Sequence, residues 1–133
     1  SGIVTIVAVD DAALAKYGRW DSWPRTLHAQ LIEQLQAAGA KAIAFDVLFE
    51  AETAEDAQLA AAMRAAGNVV QPILGGGDAI HQDGVMLYGT SVRPNAQLAA
   101  AAAEMGHANV LQDPGYDFHN GELSGCAGRQ RAA

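Results

Sequence analysis

Gly39-Ala40-Lys41-Ala42-Ile43-Ala44-Phe45-Asp46-Val47-Leu48-Phe49-Glu50 is the stretch whose reading decides the fold. It is nearly continuous in apolar residues, too short to cross a membrane, and rich enough in β-branched and aromatic residues to read as a strand buried on both faces. Its late charge, Asp46, predicts where the strand leaves the core, because an unpaired carboxylate inside a sheet costs several kcal/mol or more.

The residues on either side repeat one pattern. Upstream, Ile3-Val4-Thr5-Ile6-Val7-Ala8-Val9 reads as a first buried strand that stops at Asp10-Asp11. Helix-start residues cluster at Ser22 to Pro24, and Leu27, Leu31, Leu35 and Ala38 then mark the apolar stripe of a helix that Gly39 closes. Downstream, Thr53-Ala54-Glu55-Asp56 reads as a capping box opening a second helix that Gly67 ends. Asn68 to Leu74 reads as a third strand, Gly75-Gly76-Gly77 as a hinge, and Asp83-Gly84 as a hairpin turn. Pro94-Asn95 opens an alanine-rich helix predicted to run to Met105-Gly106, followed by a strand at His107 to Leu111. Helix, glycine and apolar strand thus follow one another three times. This alternation predicts an α/β fold, in two or three layers, with a mostly parallel sheet and crossover helices. Residues 1–114 form the expected domain, and 115–133 an irregular tail or edge strand.

Composition narrows the partners. The chain has 133 residues, half of them hydrophobic, which suits one compact domain with its own core. Fifteen acidic against eight basic residues give a net charge of −7, so a phosphate backbone is repelled and nucleic acid is not an expected partner. Cys126 stands alone, so no intrachain disulfide forms. No window reaches the roughly 18 to 20 apolar residues that span a bilayer.

Two constellations carry the candidate chemistry. In a parallel sheet, strand ends share one edge, which brings Asp10, Asp11 and Asp46, with Glu50 as a further candidate, together where ligands of open α/β sheets bind. Three carboxylates with water suit Mg²⁺, as in the acidic pocket of receiver domains, and a Mg²⁺-dependent phosphoryl acceptor is one reading. The late lysine of a receiver is missing, since no Lys follows Lys41. The same acids also suit helix capping, and Arg25 is the expected partner of Asp46. The second constellation is Arg19, Trp20, Trp23, Arg25 and His28. Flat rings with a forked donor suit recognition of a small aromatic or anionic ligand, and equally suit a loop clamped over the sheet edge. His81, His107 and His119 lack zinc spacing, and neither Ser91, Ser124 nor Cys126 sits in a nucleophile elbow. A further reading is a protein-interaction domain that forms a homodimer through its alanine-rich helix.

Taken together, Val7-Ala8-Val9-Asp10-Asp11, Gly18-Arg19-Trp20, Trp23-Pro24-Arg25, Leu27-His28-Ala29, the 39–49 stretch, Gly67-Asn68-Val69-Val70 and Gly106-His107-Ala108-Asn109-Val110 resemble the second type of CHASE domain. This is the cyclase/histidine-kinase-associated sensory extracellular module. The resemblance covers roughly residues 3 to 114. It implies a non-catalytic sensory input domain outside the cytoplasmic membrane of bacteria, joined through membrane helices to a cyclase, histidine kinase, diguanylate cyclase or serine/threonine kinase. Under that resemblance Asp10, Asp11, Arg19, Trp20, Trp23, Arg25, His28 and Asp46 form a ligand-binding or coupling region for a small molecule. Where the family usually shows Trp-Pro-Trp-Pro-Arg, this chain has Trp20-Asp21-Ser22-Trp23-Pro24-Arg25. Family domains also continue past the His-Ala-Asn-Val strand, so the chain is expected to be an incomplete piece of the module.

Overall fold

A computed structural model describes residues 3–109 and the backbone of 118–119 and 122–123. The elements in order are α1 (Asp11–Tyr17), a 3-10 turn (Trp20–Ser22), α2 (Arg25–Ala37), β1 (Ile43–Ala44), α3 (Asp56–Ala66), β2 (Val69–Gln82), β3 (Val85–Val92), α4 (Ala96–Ala101), β4 (Glu104–His107), β5 (Phe118–His119) and β6 (Glu122–Leu123). The last two pair with each other as a short antiparallel ladder. The side chains of that ladder, and Val110, Leu111, Ser124 and Cys126, lie outside the described residues.

The architecture is α/β, as the alternation predicts. β1 and β4 run parallel to β2. They lie on its opposite edges: the carbonyls of Asn68 and Val70 accept from Ile43 and Phe45, while those of Val69 and Ile73 accept from Ala103 and Ala108. The crossovers through α3 and then α4 therefore step the same way across the sheet. Right-handed connections place such helices on one face, and α3 packs against both α2 and α4. Between helices and sheet lie Ala29, Ile32, Ile43, Phe49, Leu59, Ala60, Met63, Val69 and Leu98. The alanine-rich α4 buries Leu98 and Ala101 in this layer.

Several expectations are corrected. Residues 3–9 form no strand and are exposed, with Ile3 at 87% and Ile6 at 86% exposure. The buried face of α2 is His28, Ala29 and Ile32, with Leu35 partly covered; Leu27 and Leu31 flank that face. The α4 helix stops at Ala101, and Glu104 and Met105 already belong to β4 because they pair with Val70 and Gln71.

Gly75-Gly76-Gly77 is not a hinge. β2 runs through it and leaves the sheet as a long hairpin arm with β3. A Cβ on Gly75 would overlap the Tyr88 ring, so glycine is what lets the aromatic lie across the strand. The Asn109 amide group bonds both the N–H and the C=O of Gly75, at 2.6 and 2.9 Å, continuing the pairing beyond β4. Gly77, at φ 75°, takes up the register shift between Gly76 and Ala79. The arm closes at Asp83-Gly84, both with positive φ as a type I′ turn needs.

Gly75→Ala is expected to cost about 2 kcal/mol through this overlap. If the clash is the cause, the loss shrinks in a Tyr88→Ala background, which a double-mutant cycle by urea denaturation measures.

Candidate functional site

Three helix starts meet at one buried carboxylate. Asp56 opens α3, is 1% exposed, and uses both oxygens twice. Oδ1 accepts from Arg25 Nε and from the Thr53 hydroxyl, each at 3.0 Å, and Oδ2 accepts from the Thr53 amide at 2.9 Å and from Asn95 Nδ2 at 2.8 Å. The capping box predicted at Thr53 to Asp56 is thus present as its returning half, with Asp56 reaching back to the Thr53 N–H. Burial alone would raise the Asp56 pKa. The Thr53 amide, the Arg25 guanidinium and the Thr53 hydroxyl together outweigh that effect and hold the carboxyl below its ordinary value.

The partners of Asp56 are themselves anchored. Arg25 begins α2; its backbone N–H donates to Glu55 Oε2 at 2.8 Å, its Nη2 donates to the Ala51 carbonyl at 2.9 Å, and its guanidinium carbon lies 4.7 Å from the centre of the Phe49 ring. Asn95 precedes α4, accepts from the Leu98 N–H as an N-cap, and donates its backbone N–H to the Phe49 carbonyl. One ion pair therefore ties α2, the 49–53 loop, α3 and α4 together.

Above this node runs a chain of rings. Tyr17 meets Trp23 at 5.5 Å between centroids, Trp23 meets Trp20 at 4.8 Å, Trp20 meets His28 at 5.2 Å, His28 meets Phe49 at 5.0 Å, and Phe49 meets Phe45 at 5.5 Å. Four of these contacts are edge-to-face and the Trp20–Trp23 contact is tilted, arrangements that ring quadrupoles favour over a face-to-face sandwich. Trp23 Nε1 donates to the Gly18 carbonyl at 2.9 Å, which fixes the loop. At the outer end Leu14, Gly18, Arg19, Trp20 and Asp21 line an open cleft of about 590 Å³. Arg19 and Asp21 pair there at 2.7 Å in full view of solvent, so their pair adds little to stability. At the inner end His28 is buried, and desolvation, helped by the Arg25 charge, lowers its pKa to about 4. It is neutral at pH 7.

The structure gathers Trp20, Trp23, Arg25 and His28 and places Arg19 at the mouth of the cleft. It does not gather the acids. Asp10 caps α1 by accepting from the Ala13 N–H at 2.9 Å, Asp11 lies exposed in the first turn of α1, and Asp46 is exposed beyond β1. Arg25 pairs with Asp56 and not with Asp46. Among the described residues, no group of three His, Cys, Asp or Glu side chains is placed to hold a metal ion. Asp56, Asn95 and Phe49 are not among the candidate site residues that the sequence offers. Their signals were present, since Thr53 to Asp56 and Pro94-Asn95 both read as helix starts, but helix starts do not announce that they converge.

Arg25→Ala is expected to cost about 3 kcal/mol, because it leaves a buried carboxylate short of its cation. Arg19→Ala should leave the urea midpoint unchanged. Acid should weaken the fold in two stages. Below pH 6.5 the unfolded chain binds a proton at His28 that the folded chain refuses, so stability declines towards pH 4, by up to about 3 kcal/mol in all. Below about pH 3.8, protonation of Asp56 adds a further loss, since its folded pKa is the lower one. His28→Phe keeps a ring in place and should flatten the first stage; an unchanged slope between pH 7 and 4.5 would exclude His28 as its source.

Comparison with known proteins gives one match. No curated protein and no solved structure matches the chain. Residues 1–123 match the CHASE2 domain, a family of sensory extracellular domains of signalling proteins. Among the described residues no helix is long and apolar enough to cross a membrane. The match spans most of the chain and agrees with the α/β architecture, so the chain belongs to the CHASE2 domain family.

Proposed function

We propose that this chain is the extracytoplasmic sensory input domain of a bacterial transmembrane signalling protein. It has no catalytic role of its own and passes its signal through membrane helices to a cytoplasmic cyclase or kinase. Family membership supports the sensory part. The observation that carries the coupling part is the continuous path from the 590 Å³ cleft through Trp20, His28 and Phe49 to the node at Arg25 and Asp56. A small aromatic or anionic molecule stacked on Trp20 beside Arg19 would press on this path at its outer end. Its binding energy shifts the domain between arrangements only by as much as its contacts differ between them.

A thermal-shift and calorimetric screen of small aromatic and anionic compounds tests this, with intrinsic tryptophan fluorescence as a second readout. At least one class of compound should raise the melting temperature and change the emission, and Trp20→Ala should weaken its binding about tenfold or more. A screen in which nothing binds, or binding that Trp20→Ala leaves intact, removes the cleft as the sensory site.

A further inference from the structure

Among the described residues the sheet has an open edge at β1. Ile43 and Phe45 donate to β2, so the alternating residues Ala42, Ala44 and Asp46 turn their N–H and C=O groups away from it. All three are exposed, and among the described residues β1 pairs with β2 alone. Such a row of unpaired backbone groups is a template for another strand. The chain also carries a segment suited to it. Ile3-Val4-Thr5-Ile6-Val7-Ala8-Val9 is uncharged, free of Gly and Pro, rich in β-branched residues, and exposed.

The position of α2 says which way the two fit. α2 packs on α3, and its His28 faces Phe45 and Phe49 just beyond β1. This is where a right-handed crossover lies when it leaves a strand at the open edge and enters β1. It also continues the direction already set by α3 and α4. We propose that Ile3–Val9 is a closing strand that seats in parallel on the open edge of β1 in its own chain, with α2 as the crossover. The structure shows it unseated. The connection between this strand and α2 is residues 10–24, which carry the cleft and both tryptophans, so seating and unseating pull on the outer end of the aromatic path. The seating depends on the sheet and on α2, and holds whether or not the cleft takes a ligand.

Hydrogen exchange on the full chain, read on peptides covering residues 3–10 and 40–48, tests the pairing. Amides in both peptides should exchange at least about tenfold more slowly than in unstructured peptide. Exchange of residues 3–10 at the unstructured rate overturns the proposal, and this arm needs no variant. Cysteine pairs then test the position, using Ile6→Cys or Val7→Cys, each with Ala44→Cys, in a Cys126→Ser background. Neighbouring strands lie about 4.8 Å apart, within disulfide reach. One of the two pairs should close within a single chain. Bonds that form only between chains would show that a second copy supplies the strand and overturn the assignment, as would the failure of both pairs to close in folded protein.

Discussion

The Asp56 carboxylate is the constraint on which the rest of the fold depends. A charge 1% exposed has lost its water, and its desolvation costs several kcal/mol unless donors replace that water. Four donors do so, and they come from Arg25, Thr53 twice and Asn95. Each must sit within hydrogen-bond reach, so the first turns of α2 and α4 and the loop before α3 have little freedom. A hydrophobic contact tolerates sliding, but a carboxylate with four donors does not. The helix layer is positioned at its starts, and the packing of Leu59, Met63 and Leu98 fills the space those starts define.

His28 lies between this node and the surface rings and is held there by a different physics. Its ring touches Trp20 on one side and Phe49 on the other, and Arg25 stands over that same Phe49. Neutral at pH 7, it behaves as an aromatic and not as a base, which suits a position beside a guanidinium. A protonated ring there would face both desolvation and a like charge, the two effects that depress its pKa. Rings with two side-chain torsions also have fewer ways to rearrange than long aliphatic chains, which keeps this row of side chains well defined.

What the sequence makes legible is local. Helix starts at Pro24, Thr53 to Asp56 and Asn95, the stop at Gly67, the Asp83-Gly84 turn and the parallel α/β order all follow from neighbouring residues. What it hides is set by contacts far along the chain. The partner of Arg25 lies 31 residues away, and Asp46, a carboxylate nearer in sequence, ends outside the core. Gly75 looks like part of a flexible run until Tyr88 is placed against it. The buried face of α2 is His28, Ala29 and Ile32, with the His28 ring between those of Trp20 and Phe49. Of the candidate site, the Trp20, Trp23, Arg25 and His28 group is brought together, since it lies within one loop and one helix turn. Asp10, Asp11 and Asp46 depended on two strand ends meeting, and in this structure residues 3–9 are not paired with β1.

The link between cleft and node is shortest at Trp23-Pro24-Arg25. Trp23 stacks with Trp20 and Tyr17, and Arg25 opens α2 and holds Asp56, with one residue between them. That residue is proline, at φ −68°, and Trp23 before it takes the extended conformation that a following proline favours. A flexible residue here would let the tryptophan loop move without consequence for the helix. Proline removes that freedom and cannot disturb the helix it precedes, because the first turn has no partner for its missing N–H. Trp23 is thus held in a fixed relation to the Arg25 end of α2, and Arg25 meets Asp56, which Asn95 of the α4 start also contacts. A single residue of fixed φ thus joins the tryptophan loop to the helix start that carries the ion pair.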